Sequence, residues 1–250
     1  MSQRQTDAAG VPDRLVLGYH FVSSLRPSKL AVTALQLRRQ LASLVARGYE
    51  AVAFHETSTG SAARRIVAPT FDDGELCVLD RGLPVLEELG LVATMFVPVA
   101  RVGTPNHVSW DDISLLSSRG WEIGSHTVTH ARLTELDDKA LDDELRCSRE
   151  AIEERLGLPC RSIAYPYGAV DRRVRDAAAR AGFTAGCVTD GRLRGTDPLR
   201  WSRVGIDGRD PHVVFLAKTS AAGRAVRASA LGRGLNAVGR SARSLRRLRE

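Results

Sequence analysis

The chain has 250 residues, 43% of them hydrophobic, enough to bury one sizeable core and to favour a single main domain. No run of roughly eighteen or more apolar residues occurs, which argues against a membrane-spanning helix. The polar opening MSQRQTDAAGVPDR has no apolar centre of the kind signal peptides carry, so a cytoplasmic protein is expected. The net charge of +7 is unevenly placed: residues 221–250 hold eight Arg and one Glu, while residues 1–220 balance at 28 basic and 28 acidic side chains. The body therefore suggests no nucleic-acid cleft. Cys77, Cys147, Cys160 and Cys187 lack any ligand spacing and read as free thiols.

Residues 1–13 read as a flexible leader, 14–220 as the main domain and 221–250 as an Arg-rich tail. LVLGYH (15–20) is predicted to be a buried strand. TALQLRRQLASLVARG (33–48) repeats apolar residues at helical spacing, with Thr33 as N-cap and Gly48 as stop. EAVAF (50–54) and RIVAPTF (65–71) read as strands around a polar loop. LCVLDRGLPVLEELG (76–90) is a helix that Pro84 kinks or splits. Strands follow at 91–97, 121–126, 162–166 and 183–189, and helices at 110–120, 137–157 and 170–182. Repeated β-then-α units predict a parallel sheet covered by helices, open or closed into a barrel. His20, Asp72, Asp73, His126 and Tyr167 each follow a predicted strand, at the end where such folds place their chemistry.

TFDDG (70–74) sets two acidic residues after an apolar strand. Adjacent, partly buried carboxylates repel and need a cation or a shared proton, although DDG alone is also an ordinary strand-end turn. SHTVTH (125–130) supplies His126 and His130 at a spacing that can share a metal. It is not HExxH, because Thr127 stands where a zinc protease has its Glu base. Together the segments offer one carboxylate and two imidazoles for a divalent ion, with open positions for water and substrate and a spare carboxylate to take a proton.

With these motifs in view, roughly residues 15–206 resemble the polysaccharide deacetylases with a NodB-type domain, carbohydrate esterase family 4. TFDDG is similar to the family's first motif, HTVTH to its H-[ST]-x-x-H second motif, and AYPYG (164–168) to one version of the third. The resemblance implies a distorted (β/α) barrel with fewer than eight regular repeats and removal of N-acetyl groups from an amino sugar. That sugar would sit in a polysaccharide, a lipid-linked glycan or a glycoside. It assigns Asp73, His126 and His130 to a metal, most often zinc, with cobalt, nickel or manganese as alternatives. Asp72 would be the general base, and the Tyr167 backbone N–H would stabilise the oxyanion.

Two departures accompany the resemblance. Ala164 stands where many members have the Arg that orients the base, leaving Arg161 and Arg203 as candidates to replace it. The late LxxH histidine is missing; His212, in DPHVVF, fits a helix start better. In a subgroup with circularly permuted motifs, resembling the exopolysaccharide de-N-acetylases, an early YH takes that role. GYHFV (18–22) therefore nominates His20 as the general acid. The same departures leave a catalytically inactive sugar-binding domain as the alternative. His55 and His107 read as structural or surface residues, and Trp110 and Trp201 as sugar-stacking or core residues. In the tail, Leu231, Leu235, Val238, Ala242 and Leu245 follow helical spacing while Arg233, Arg240 and Arg247 recur every seven residues. That pattern suits either disorder or peripheral contact with an anionic membrane.

Overall fold

The computed structural model describes residues 13–25, 28–58, 65–189 and 197–228. In chain order, β1 (Arg14–Tyr19), β2 (Phe21–Val22) and β3 (Ala31–Val32) lead into α1 (Ala34–Val45). Next come β4 (Glu50–Ala51), β5 (Ile66–Phe71), α2 (Leu76–Arg81) and α3 (Leu83–Glu88). A regular alternation then runs through β6 (Thr94–Val97), α4 (Trp110–Ser118), β7 (Glu122–Ser125), α5 (Asp138–Leu156), β8 (Ser162–Ala164), α6 (Arg172–Arg180) and β9 (Ala185–Val188). The described chain finishes with β10 (Trp201–Ser202), β11 (Val204–Gly205), α7 (His212–Thr219) and α8 (Ala221–Ala228).

Side-chain caps set four of the helix starts. Thr33 caps α1 reciprocally with Gln36, and Ser109 does the same with Asp112 at α4. Asp137 and Asp171 cap α5 and α6, and α5 stops at Gly157 in the left-handed conformation. Pro84 splits the expected 76–90 helix in two by taking the first turn of α3, where its missing N–H costs nothing.

The main sheet is wholly parallel, in the order β10-β9-β8-β7-β6-β5-β1-β11, with β4 beside the first half of β5. Pro69 falls where the partner on that flank changes from β4 to β6, a place where a strand can do without an N–H donor. One short segment nearly closes the barrel. Trp201 and Ser202 pair with β9, while two residues later Val204 and Gly205 pair with β1. Arg203 lies between, its own N–H donating to Val188 O at 2.8 Å. Among the described residues the ring therefore has seven strand positions, in agreement with a distorted barrel of fewer than eight repeats.

Alternation along the strands separates two apolar cores. Leu15, Leu17, Tyr19, Val67, Met95 and Ile123 face the helices, and Val16, Ala68, Phe96, Ala164, Ala185 and Cys187 fill the barrel with Phe54. Gly124 has a packing reason: a Cβ there would lie 2.5 Å from the Phe96 ring. None of the four cysteines is in a disulfide, and burial pushes the Cys160 and Cys187 thiols up to about 12.

One expectation needs correction. EAVAF is strand only at Glu50–Ala51; the chain then turns into a 3-10 segment, Phe54–Ser58. There Phe54 meets Phe96 edge-on at 5.8 Å, and its N–H donates to Thr94 Oγ1 at 2.9 Å, closing the barrel floor. The first residues of the Arg-rich segment, Ala221–Ala228, form the helix α8. In α8, Arg224 donates to Asp13, to Tyr49 Oη at 3.2 Å and to Thr219 O at 3.0 Å, so the helix is tied to the barrel's lower rim. Residues 229–250, including Leu231 to Arg247 of the amphipathic pattern, lie outside the described residues, as do residues 1–12 of the leader.

Candidate metal and catalytic site

The site assembles at the C-terminal ends of β1, β5, β7 and β8. After β5 the backbone turns left-handed at Asp73 (φ 70°) and Gly74 (φ 65°), a conformation that Asp tolerates better than most residues. The turn sends the two neighbouring carboxylates in different directions. Asp72, 3% exposed, points into the barrel; Asp73 points to the histidines.

His126 continues the line of β7, its N–H donating to Val97 O at 2.9 Å. Its Nδ1 lies 2.6 Å from Ala164 O. A carbonyl only accepts, so Nδ1 carries the proton and Nε2 keeps its lone pair. His130 comes back to the same spot through a loop with left-handed Thr127 and His130 (φ 68° and 65°). Its Nδ1 is 3.1 Å from Tyr167 Oη. Asp73 Oδ1 stands 3.8 Å from His126 Nε2 and 3.2 Å from His130 Nε2. One donor atom from each of Asp73, His126 and His130 fits within a 4.8 Å cluster, the only such group among the described residues. Burial lowers the proton affinity of His126 below the ordinary histidine value. Burial, together with the neighbouring His126, pushes His130 down to about 4. Two neutral imidazoles oriented through their Nδ1 atoms, with a carboxylate between them, make a donor set that fits a divalent ion with positions left open. Arg101 Nη1 also approaches Asp73 Oδ1, at 3.4 Å.

Asp72 has its own partner. Arg203 grips it with two parallel bonds, Nη1 to Oδ1 at 2.7 Å and Nη2 to Oδ2 at 2.6 Å. Its remaining donors reach Thr70 Oγ1 at 2.9 Å and Thr189 Oγ1 at 3.1 Å. Burial opposes ionisation of Asp72, but the Arg203 guanidinium outweighs it and holds the carboxyl well below the usual carboxylate range. Gly18 leaves space for this arginine: a Cβ there would sit 3.4 Å from Arg203 Nε. Of the two arginines nominated from sequence, Arg203 is the one that faces Asp72. Arg161 lies at the other end of the barrel, lining a cavity of about 400 Å³ with His55 and Trp121.

His20 enters the same site, its Nε2 3.8 Å from Asp72 Oδ2, and its buried Nδ1 has no hydrogen-bond partner. Tyr167 adopts a left-handed backbone (φ 60°) in a turn after β8, 60% exposed, with the Arg132 guanidinium 4.7 Å from its ring centroid. Neither tryptophan is brought to this cluster by any observed contact: Trp110 packs on the outer core beneath Arg155, and Trp201 against the barrel interior. His55 pairs with Glu122 at the barrel floor, His107 lies 3.9 Å from Glu75, and His212 opens α7. Sequence reading missed Glu144, which holds the loop carrying both histidines; a lone Glu in a long charged helix gives no signal.

Comparison with known proteins points the same way. The family model described as polysaccharide deacetylase matches residues 59–186, a span that holds TFDDG, HTVTH and AYPYG but neither His20 nor Arg203. YxkH of Bacillus subtilis is 26% identical over 180 residues, 70% of this chain and 64% of that protein. A chitooligosaccharide deacetylase of Bradyrhizobium is 32% identical over 147 residues, 57% of this chain and 62% of that protein. The chain thus spans just under two thirds of these curated relatives. The crystal structure of BA0330 from Bacillus anthracis aligns with a TM-score of 0.76 at 25% identity, covering 83% of this chain and 69% of that one.

Proposed function

Because this chain belongs to the polysaccharide deacetylase family, we propose that it hydrolyses the N-acetyl group of an N-acetylated amino sugar, using Asp73, His126 and His130 to hold a divalent metal. The observation that carries the reading is the separation of the DD pair into an Asp73 that faces the two histidines and an Arg-bound Asp72. Zinc is the expected metal, with cobalt, nickel and manganese as alternatives that the same donors accept. Such an ion, when bound, would polarise the acetyl carbonyl and acidify the attacking water.

The protein's own groups supply the remaining steps. Asp72 is ionised at neutral pH and, though both oxygens bond Arg203, each keeps a lone pair to receive a proton. Arg203 weakens it as a base and fixes its direction, so proton removal accompanies attack on the carbonyl carbon. The Tyr167 N–H would stabilise the oxyanion. His20 gives a proton to the departing nitrogen as the C–N bond breaks, and regains one from Asp72 nearby. Acetate and a free amine result. Chitooligosaccharides are the first substrates to try, since a relative is named for them.

Acetate release with zinc or cobalt tests this reading. Asp72→Asn should keep bound metal and lose turnover about 10²- to 10⁴-fold. His126→Ala should lose the metal itself. Equal metal loss in the two variants would mean that base and ligand are misassigned. His20→Gln should lower kcat while sparing metal content. The inactive sugar-binding alternative drew on Ala164 lacking the orienting guanidinium and on the missing late histidine; Arg203 bonded to Asp72 and His20 3.8 Å from it support the catalytic reading over it. Peripheral contact of the tail with an anionic membrane is a further part of the proposal. No helix among the described residues is long and apolar enough to cross a membrane. Its flotation test should truncate after Ala228, sparing the Arg224 anchor; unchanged binding to anionic liposomes would remove it.

A further inference from the structure

The two histidines proposed as ligands sit on a loop whose backbone is unfavourable by itself. Thr127 and His130 both adopt positive φ, and neither is glycine. Such a loop persists only if its surroundings hold it, and α5 provides the hold. Glu144 Oε2 accepts from the N–H groups of Val128 at 2.8 Å and Thr129 at 3.0 Å, and Oε1 accepts from Thr129 Oγ1 at 2.5 Å. One turn further along the same helix face, Ser148 continues the grip. Thr127 N–H donates to Ser125 Oγ at 3.0 Å, Ser125 Oγ lies 2.8 Å from Ser148 Oγ, and Ser148 donates to Leu145 O at 3.0 Å. Ser148 has a single proton and uses it on Leu145, so Ser125 donates to Ser148 and the chain of bonds runs in one direction. Within the loop, His130 N–H donates to Thr127 Oγ1 at 3.1 Å, passing the constraint to the second ligand.

We propose that Glu144 is a positioning residue for the metal site: by holding residues 128 and 129 to α5, it keeps His126 and His130 converged on Asp73. The proposal rests on the metal reading above. Outer partners of metal ligands typically contribute about 10- to 100-fold in affinity, and Glu144 acts on the loop that carries two of the three ligands.

Titration of the full chain with cobalt(II) and zinc(II), read by calorimetry and by the visible spectrum of the cobalt form, tests it. Glu144→Ala should bind about 10- to 100-fold more weakly, with an altered cobalt spectrum. Glu144→Gln keeps one carbonyl acceptor for the two N–H groups and should restore most of that loss. Should Glu144→Ala fold poorly, Thr129→Ala removes only the hydroxyl bond and should weaken binding a few-fold. Metal affinity within two-fold of the parent in Glu144→Ala, with an unchanged spectrum, would overturn the proposal. Amide exchange at Val128 and Thr129 separates this failure from failure of the metal reading. A parent chain that binds no metal sinks the metal reading and, with it, the role claimed for Glu144. Faster exchange in Glu144→Ala would then show only that the loop is anchored. In a metal-binding parent, unchanged exchange in that variant overturns the proposal.

Discussion

The barrel interior holds two buried carboxylates, one near each end, and they differ in the company they keep. At the C-terminal end Asp72 is bound on both oxygens by Arg203, a guanidinium charged throughout the working pH range, and the cluster opens toward His20 and the candidate metal ligands. At the N-terminal end Glu122 accepts from Ser162 Oγ at 2.6 Å, Thr94 Oγ1 at 2.8 Å and the His55 N–H at 3.1 Å, with His55 Nδ1 at 3.2 Å. Burial opposes ionisation of Glu122, but the bond with His55 and the Ser162 hydroxyl hold its carboxyl below the ordinary value. The same bond to Glu122 raises His55 against the cost of its burial. Both carboxylates are held below the ordinary carboxylate value, the upper one chiefly by an arginine and the lower one by a histidine and hydroxyls. A permanent cation suits the role of base proposed for Asp72, which must stay charged and aimed; a histidine, aided by hydroxyls, suffices for a plug beneath the Phe54–Phe96 layer.

Breaking the upper pair should have the largest effect. Arg203→Met leaves a buried, unpaired carboxylate and should cost about 3–5 kcal/mol in urea unfolding, besides lowering turnover. A loss under about 1 kcal/mol would show that Asp72 finds water or another partner, and the contrast between the ends would collapse.

The lower pair should give a smaller, pH-dependent effect. Glu122, with its folded value depressed, contributes stability present above the unfolded value of about 4.3 and lost as pH falls through the folded one. His55, with its folded value raised, contributes stability fully present below about 6.5 and lost as pH rises through its folded value. Parent and His55→Gln should therefore differ more in unfolding free energy at about pH 5.5 than at about pH 8.5. The opposite trend would mean that His55 is held neutral.

The smallest effect is expected outside the barrel interior, where partly exposed ions meet. Arg224→Ala breaks the contact of α8 with Asp13 and Tyr49 and should cost roughly 1 kcal/mol or less, read as a shift in denaturation midpoint. A larger loss would make α8 as integral to the barrel as its interior ion pairs.

Much of the site could be read from the chain because its parts are local. Asp72 and Asp73 follow one apolar strand and His126 and His130 another, so coordination chemistry and strand-end placement suffice to nominate them. The capping signals of Thr33, Ser109, Asp137 and Asp171 work equally locally, and Pro84 announced the break between α2 and α3. Phe54 was misread as strand because an apolar residue after Val52 looks the same whether it lies in a sheet or plugs a floor.

The sequence by itself determined the alternation of strands and helices and nominated the two candidate ligand segments and the candidate base, since each rests on residues a few positions apart. Only the tertiary structure decided between Arg203 and Arg161, which lie 131 and 89 residues from Asp72 along the chain. The deciding event is barrel closure: β10 and β11 are two residues each, too short for any periodic signal, yet their pairing with β9 and β1 delivers Arg203 to Asp72. Strand pairing across the ring is a long-range free energy, and no local pattern carries it.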